Sequence, residues 1–384
     1  MDSWLEPPRS CGVPTHMKLN ASRCVPLLLD WFASKGRDLP WRRTTDPYAI
    51  WISEIMLQQT QVKTVIPYWE RWMSQLPTVQ RLAKAPEEQV LKLWEGLGYY
   101  SRARNLRAAA QQVVEVHHGT FPHRLEALLK LPGIGRYTAG AVASIAFNQP
   151  APLLDGNVIR VFTRLAAMDG DPKSKELQER LWSQAQLWVQ ESNQLGLVHL
   201  ARAGSAGTCS SLNQALMELG ATVCTPKAPD CHLCPLQTHC KAFQMGKTEA
   251  FPQTAPRPVI QSRFLLVAVL ERQGRYLLRK RPPGDVNAGF WEFPNQELAK
   301  KAAHPKEEAA QWLGLNPEEL RYLTQVRHAI TRYRFHLEVF HAHMRRNHSD
   351  LESGAEWVTP DALQDRALTA AHRRIARQLL GDVR

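Results

Sequence analysis

Four cysteines stand close together beyond the middle of the chain, and they restrict its fold more than any other feature. Cys224, Cys231, Cys234 and Cys240 follow the pattern C-x6-C-x2-C-x5-C within 17 residues. Four thiolates on one short segment can surround a tetrahedral zinc ion or an iron–sulfur cluster, and the spacing alone does not choose between them. In a compartment that keeps thiols reduced, these cysteines predict a metal-organised segment and not disulfides.

Length and charge set further limits. The chain has 384 residues, more than one hydrophobic core usually supports, so we expect two domains. Lys and Arg number 48 against 36 Asp and Glu, and the net charge of +12 favours a polyanionic partner such as nucleic acid. No apolar run reaches the ~18 residues of a membrane span, so no membrane partner is expected. Residues 1–17 contain three prolines and no signal-peptide core, and they are predicted as a disordered tail.

Residues 18–250 have the apolar spacing of helices. The clearest helical segments are 49–65, 87–97 and 102–116. Residues 191–211 are rich in Gly and Ser without periodicity, which predicts a long surface loop that contains Cys209. This part of the chain is therefore predicted as an all-helical domain.

The pattern changes after a proline-rich segment. Residues 251–262 carry three prolines and predict an extended linker. Beyond it, strands are predicted at 264–270, at 276–278 and around 335–339, with a closing helical stretch over 360–380. Residues 263–384 are therefore predicted as a separate α/β domain.

A pair of glycines joins two of the predicted helices. Gly133 and Gly135, in the segment Leu-Pro-Gly-Ile-Gly, allow a tight turn and expose consecutive backbone N–H groups. At the start of the following helix, such amides form a phosphate site that is independent of base sequence. A lone G-x-G is weak evidence for a phosphate site, because most such pairs only form turns.

Two carboxylates have unusual surroundings. Glu54 is the single acid in an apolar helix. Gln58, Gln59 and Thr60 follow this helix, and their polar side chains are suited to hydrogen bonding with base edges. A carboxyl group in apolar surroundings has a raised pKa and can stay protonated as a general acid. Asp155 follows apolar residues and precedes Gly-Asn, so by itself it is more readily explained as a helix N-cap than as a catalytic group.

Together these segments resemble the helix–hairpin–helix, Gly-Pro-Asp superfamily of base-excision DNA glycosylases, and within it the adenine DNA glycosylase (MutY) family. The resemblance extends from about Leu28 into the C-terminal domain. Its most specific segments are 39–42, 53–60, 96–102, the glycine hairpin, 154–158 and 213–220.

The resemblance implies a multidomain α plus α/β fold, in which an all-helical glycosylase domain precedes a Nudix-like α/β domain. A six-helix module would cover about 46–154. A second lobe, formed by 18–45 and 155–250, would bind a [4Fe–4S] cluster through the four cysteines, which moves the expectation from zinc to iron–sulfur.

The resemblance also implies the reaction, which is hydrolysis of the N-glycosidic bond of adenine paired with 8-oxoguanine or guanine in double-stranded DNA. Glu54 would protonate the purine at N7, and Asp155 would stabilise the oxocarbenium charge on the sugar. Tyr137 and Asn157 would line the sugar side. Contacts with the flipped base or the DNA are implied for Trp41, Arg42, Leu57, Gln59, Thr60, Tyr99, Gly133, Gly135 and Gln214.

Position 137 bears on the type of glycosylase. Bifunctional relatives carry a lysine there, and its amine attacks the sugar and leads to strand cleavage. A phenol cannot form that Schiff base. Tyr137 therefore predicts a monofunctional enzyme that leaves an abasic site. The protein is separately expected to be a monomer.

The C-terminal domain resembles the Nudix-like domain with which this family reads 8-oxoguanine. Glu307 and Glu308 are followed by two alanines instead of paired metal-binding carboxylates, so nucleotide hydrolysis is not expected. Where the family usually carries Phe-Ser-His, this chain has Ile330-Thr331-Arg332. Thr331 and Arg332 are the expected lesion contacts, and this departure from the family pattern bears on discrimination between 8-oxoguanine and guanine.

Two alternatives remain open at this point. The first is a mismatch thymine or uracil glycosylase of the same superfamily, against which Glu54 and the second domain argue. The second is a non-catalytic iron–sulfur DNA-binding protein, against which the presence of both Glu54 and Asp155 argues. A substrate panel would separate all three.

Overall fold

The structure is a computed structural model, and the residues that it describes form two compact units. The described residues are 20–199, 207–253, 259–282, 284, 287–330, 332–344 and 354–381. One unit comprises residues 1–79 and 112–256, and the other comprises 80–111 and 257–384. The predicted tail 1–17 lies outside the described residues.

Helices dominate the chain up to residue 253. They are α1 (Ala21–Lys35), α2 (Pro47–Leu57), α3 (Val62–Gln75), α4 (Val79–Lys84), α5 (Glu87–Trp94), α6 (Ser101–Val116), α7 (Leu125–Leu128), α8 (Arg136–Ile145), α9 (Gly156–Ala166), α10 (Lys175–His199), α11 (Thr208–Thr222) and α12 (Lys241–Gln244). α5 and most of α4 and α6 belong to the second unit, and the other helices belong to the first. Among the described residues, no helix is both long enough and apolar enough to cross a membrane.

Helix α2 is the buried centre of the first unit. The Asp46 carboxylate caps it by accepting from the Tyr48 N–H, and Pro47 occupies its first turn, where a missing N–H costs nothing. The single helix predicted over 49–65 is in fact two, because the chain breaks between α2 and α3. Gln59 lies at this break with a left-handed φ of 59°, so the polar set after α2 is held in a loop.

The prediction of a surface loop over 191–211 is wrong for most of its length. α10 continues to His199 and α11 begins at Thr208, while residues 200–206 lie outside the described part of the chain. Cys209, expected in the loop, is buried within α11.

Close packing of α10 against α11 explains the small residues in this segment. The Ser192 hydroxyl donates to the Thr208 carbonyl, and the Thr208 hydroxyl donates to the Ser192 carbonyl at 2.7 Å. A Cβ on Gly196 would lie 2.5 Å from Thr208 Oγ1. The Gly and Ser residues therefore mark a helix–helix contact instead of a loop.

The second unit contains a mixed sheet. Among the described residues its strands are β1 (Gln261–Arg272), β2 (Arg275–Lys280), β3 (Trp291–Glu292), β4 (Asn295–Leu298), β5 (Arg321–Ile330), β6 (Tyr333–His343) and β7 (Ala355–Val358). The order is β3-β2-β1-β6-β5, with β4 paired to β1 and β7 paired to β2. β1 and β6 are parallel, and the other strand pairs are antiparallel.

Three helices pack on this sheet, namely α13 (Pro305–Leu313), α14 (Pro360–Asp365) and α15 (Ala370–Leu379). Side chains alternate along β1, so Val267 and Val269 join the core that contains Ile375 of α15, whereas Leu266 and Ala268 join the core on the α13 side. The predicted closing helix over 360–380 is interrupted between α14 and α15. The predicted order of a helical part followed by an α/β part is confirmed.

Residues 80–111 are joined to the sheet by charged and aromatic contacts within the second unit. Arg373 of α15 pairs with Glu95, and Arg366 pairs with Glu88 at 3.0 Å. Tyr100 packs on Phe290 with ring centroids 3.9 Å apart.

The predicted linker over 251–262 is shorter than expected, because Phe251 is buried in the core of the first unit and β1 begins at Gln261. Of the predicted linker, residues 254–258 lie outside the described chain.

Candidate active site

A cavity of about 570 Å³ lies in the first unit, within the size range of small-molecule sites. Its walls come from the short 3-10 helix at Pro40–Arg42, from α2 and the loop after it, and from α8, α9 and α11. Predicted site residues that line it are Trp41, Arg42, Glu54, Leu57, Gln59, Thr60, Tyr137, Asp155, Asn157 and Gln214. The fold therefore brings together residues that lie far apart in the sequence.

Glu54 is a buried acid in the lining of this cavity. Only 4% of its surface is exposed, and its Oε2 accepts a hydrogen bond of 2.5 Å from the Tyr137 hydroxyl. Burial raises the pKa of Glu54 to about 7, with a contribution from the negative charge of Asp155 and in opposition to the Tyr137 hydrogen bond. A carboxyl group with this pKa is protonated in a large fraction of molecules at neutral pH, as a general acid requires.

Asp155 caps α9 and also faces the cavity, so the two explanations of this residue are compatible. Its Oδ1 accepts from the Val158 N–H at 2.7 Å, and its Oδ2 accepts from the Asn157 amide at 2.7 Å. Burial raises the pKa of Asp155 against these hydrogen bonds, which favour the anion. The start of α9 therefore holds both carboxylate oxygens in fixed positions beside the cavity.

Tyr137 stands one residue into α8, directly after the glycine hairpin. Burial and the nearby charges of Glu54 and Asp155 raise its pKa well above the ordinary range, so the phenol stays neutral. Its hydroxyl also lies 3.5 Å from Met217 Sδ. Tyr137 is therefore a hydrogen-bond donor to Glu54 and cannot act as a nucleophilic phenolate at neutral pH.

The lining of the cavity also contains a buried ion-pair cluster. Glu218 is 1% exposed and accepts from Arg42 Nη2 at 2.9 Å and from Arg37 Nε at 2.6 Å. Burial would raise the pKa of Glu218, but the hydrogen bonds from Arg37 and Arg42 outweigh it and lower the pKa. The sequence analysis missed Glu218. Its position four residues after Gln214, on the same face of α11, was the available signal.

The remaining predicted contacts of the first unit surround this cavity or the hairpin. Trp41 is buried, with its ring 6.1 Å from that of Trp69. Gly133 has a left-handed φ of 73°, where a side chain would be strained. Gly135 precedes α8, and a Cβ there would meet no atom within 4 Å. The hairpin backbone is therefore open at Gly135.

Three predicted contacts belong to the second unit or to undescribed chain. Tyr99 is 47% exposed and has a left-handed φ of 46°. Arg332 is exposed and donates to the Tyr333 hydroxyl at 2.9 Å, while the Arg263 guanidinium lies 5.0 Å from the centre of the Tyr333 ring. Thr331 lies outside the described residues. Neither Tyr99 nor Arg332 lines the cavity of the first unit.

The four cysteines line a second, smaller cavity after α11, as their spacing predicts. Arg164 beside them is 2% exposed and donates to Cys224 Sγ at 3.4 Å and to the Thr225 carbonyl at 2.7 Å. Its other donors reach the carbonyls of Phe251 and Pro226. Negative charge nearby would stabilise this buried guanidinium further, and metal-bound thiolates carry such charge whereas carbonyl groups do not. The donor set therefore fits an anionic metal–thiolate group.

Arg160 links the cysteine segment to the active-site helix, and the sequence analysis missed it. Its Nε donates to the Cys224 carbonyl at 2.7 Å, and its Nη2 donates to Asn157 Oδ1 at 2.8 Å. Asn157 in turn donates to Asp155. A continuous chain of hydrogen bonds therefore runs from the first cysteine to the Asp155 carboxylate.

Known proteins with similar sequences identify the family. Residues 52–186 match the family described as HhH-GPD superfamily base excision DNA repair protein, and residues 266–378 match the NUDIX domain. The adenine DNA glycosylase of Rattus norvegicus is 37% identical to this chain, over 91% of this chain and 76% of the rat protein. This chain belongs to the adenine DNA glycosylase family.

A second relative agrees with this assignment. The human adenine DNA glycosylase is 36% identical, over 92% of this chain and 73% of the human protein. A solved thermostable thymine-DNA glycosylase is 27% identical, with a TM-score of 0.49, over 59% of this chain and 97% of that chain. As an adenine DNA glycosylase, the protein is a base-excision repair hydrolase that acts on N-glycosyl bonds. Family membership decides against the thymine or uracil glycosylase and the non-catalytic DNA-binding protein.

Proposed function

We propose that this enzyme removes adenine paired with 8-oxoguanine or guanine from double-stranded DNA and leaves an abasic site. The observation that carries the proposal is the pairing of Glu54, hydrogen-bonded to Tyr137, with Asp155 in one cavity large enough for a nucleobase. The two carboxyl groups have different environments. That of Glu54 suits the neutral acid, and that of Asp155 suits the anion.

The adenine must leave the base stack before it can reach these groups, at a cost of a few kcal/mol. In the proposal the base enters the cavity between the Glu54 wall and the Arg42 wall. Arg42 is held in place by Glu218, and Gln214 lies one helical turn before Glu218 on α11. These polar groups orient the purine so that N7 faces the Glu54 carboxyl.

Glu54 then transfers its proton to N7, and the bond between N9 and C1′ breaks with its electron pair moving to the base. The carboxylate of Asp155 stabilises the positive charge that develops on the sugar. A water molecule adds to C1′, and its proton returns to Glu54. Adenine and an abasic sugar are the products, so protons balance and Glu54 is restored.

The proposal that the enzyme does not cleave the strand is supported by the nature of the cavity wall. The described residues that line it include no lysine, and position 137 carries a neutral tyrosine. Without an amine at the sugar, a Schiff base cannot form there. Base release should therefore proceed without strand cleavage.

We further propose that Cys224, Cys231, Cys234 and Cys240 bind a [4Fe–4S] cluster. Bound there, the cluster would hold the segment after α11 in a fixed fold through its thiolate bonds. Arg164 would balance part of the negative charge, and Arg160 would fix Asn157 relative to the cysteine segment. The chain's own residues carry out the glycosidic chemistry in the other cavity.

A single-turnover excision assay on four duplexes tests the proposal. Adenine release should be fastest from A·8-oxoguanine and slower from A·G, and no pyrimidine should be released from G·T or U·G. With a 5′-labelled strand, breaks should appear only after alkali treatment. Strand breaks that form at the rate of base release without alkali would overturn the monofunctional assignment. Equal rates on A·8-oxoguanine and A·G would overturn the role of the oxidised guanine.

A further inference from the structure

We propose that Glu271, His341 and His343 form a divalent metal site of the zinc type in the second unit. The three residues lie outside the active-site cavity and the cysteine cluster. Glu271 is near the end of β1, and the two histidines are at the end of β6. The site is independent of the proposed excision chemistry.

The strand register brings the three side chains to one face of the sheet. β1 and β6 are parallel neighbours, and Glu271 lies directly opposite His343. His341 and His343 are two residues apart on β6, so their side chains point to the same face. On the same face of the sheet, Val269 and Val339 belong to the hydrophobic core that also contains residues of α15. The three ligands lie on this face beyond the end of that core.

The donor atoms have the separations that a metal ion needs. Glu271 Oε2 lies 2.9 Å from His341 Nε2 and 3.8 Å from His343 Nδ1, and all three atoms are within 4.8 Å of one another. Tetrahedral zinc with bonds of about 2.0–2.1 Å places its donors about 3.3 Å apart, between the two observed distances. The two imidazole rings stand at 85° with centroids 4.8 Å apart, so both can aim a nitrogen at one point.

The burial of the three side chains also suits a metal site that has two fixed ligands and one side open to solvent. Glu271 and His341 are mostly buried, at 21% and 14% side-chain exposure, whereas His343 is 73% exposed. The exposed ring can therefore move by the few tenths of an ångström that coordination requires, and solvent can complete the ligand set. Two imidazoles and one carboxylate favour zinc and similar transition ions over magnesium or calcium.

Two residues on neighbouring strands flank the site. Tyr276 of β2 lies opposite Glu271, and Arg321 of β5 lies opposite His341. Arg321 is exposed, and its positive charge weakens the binding of a cation. A hydrogen-bonded pair of Glu271 and His341 needs only two side chains. The third donor, His343, is what distinguishes a metal site from such a hydrogen-bonded pair.

Zinc binding to the full-length, cluster-loaded protein tests the proposal. Zn²⁺ is titrated in competition with a chromophoric chelator, for the wild type, His343→Ala and His336→Ala. His336 is the matched control, because it lies on β6 but on the opposite face, stacked on Phe264. The wild type and His336→Ala should bind one zinc ion with equal affinity, and His343→Ala should bind it more than about tenfold more weakly.

X-ray absorption at the zinc edge identifies the ligands in the same samples. A nitrogen and oxygen shell at about 2.0–2.1 Å supports the site, whereas a sulfur shell at about 2.3 Å would place the ion on cysteines and overturn the proposal. Equal affinity in the wild type and His343→Ala would also overturn it. His343 is largely exposed, so circular dichroism should show that its variant folds normally.

Discussion

The Tyr137 hydroxyl donates a hydrogen bond of 2.5 Å to Oε2 of Glu54, a carboxyl group that is only 4% exposed. The bond joins α8 to α2 across 83 positions of sequence. It works against burial, since burial raises the pKa of Glu54 and the hydrogen bond lowers it. The balance leaves that pKa at about 7, where a general acid is most effective near neutral pH.

The first prediction concerns the pH dependence of excision. Because Glu54 must be protonated, the single-turnover rate on A·8-oxoguanine should fall about tenfold per pH unit above pH 7. On the acid side the rate should fall as Asp155 becomes protonated, at a pH above the usual range for an aspartate because burial raises its pKa. Glu54→Gln should remove the alkaline limb together with nearly all activity.

Tyr137→Phe is the informative variant for this profile. It deletes the donor that lowers the pKa of Glu54, so the alkaline limb should move to higher pH. An unchanged limb would show that another group controls the rate at high pH. Strand cleavage should remain absent in this variant, as in the wild type.

The second prediction concerns stability. Because the folded-state pKa of Glu54 is raised, its stabilising contribution is complete below about pH 4.5 and is lost as the pH rises through about 7. Glu54→Gln should therefore stabilise the protein at pH 8, by on the order of 3 kcal/mol, and change it little at pH 4.5. Thermal unfolding at both pH values measures this, and an equal Tm difference at both would contradict it.

The third prediction concerns Gly140 in α8. A Cβ at this position would lie 2.0 Å from the backbone oxygen of Pro152, three residues before Asp155. Gly140→Ala should lower the free energy of unfolding by about 1–3 kcal/mol and slow excision by displacing Asp155. Gly135→Ala is the control, since its Cβ would meet no atom within 4 Å. Equal Tm values for the two variants would refute the packing argument.

The fourth prediction concerns Arg164, the buried cation beside Cys224. Arg164→Gln removes its charge, so a bound cluster should lose iron to a chelator several times faster than in the wild type. Lys241→Gln removes one positive charge next to Cys240 at an exposed position and should have little effect. The decay of iron–sulfur absorbance gives both rates. If both variants lose iron at the wild-type rate, Arg164 does not stabilise the cluster.

The fifth prediction concerns lesion recognition at the β5–β6 hairpin. Combined Thr331→Ala and Arg332→Ala should reduce the rate ratio of A·8-oxoguanine to A·G more than it reduces adenine release from A·G. Arg275→Ala removes an exposed charge from a different hairpin of the same unit and should leave the ratio unchanged. Equal losses on both substrates would count against a lesion-reading role for this hairpin.

Much of the local structure was predictable because its causes are local. Asp46 and Pro47 mark the start of α2, a continuous apolar run marks β1, and alternating apolar residues mark β6. The prediction of a loop over 191–211 was wrong for a non-local reason. Ser192 and Gly196 are residue types typical of loops, but here they are small because Thr208 packs against them.

The sequence by itself determined which chemical groups are available: four cysteines at cluster spacing, an acid in an apolar helix, an aspartate at a helix start and a tyrosine in place of lysine. Only the tertiary structure decided that Tyr137 contacts Glu54, and that Glu218 meets Arg37 across 181 positions. The physical reason is range. Helix and strand patterns act over a few residues, whereas desolvation and hydrogen bonding of a buried carboxyl group depend on whichever distant segments fold around it.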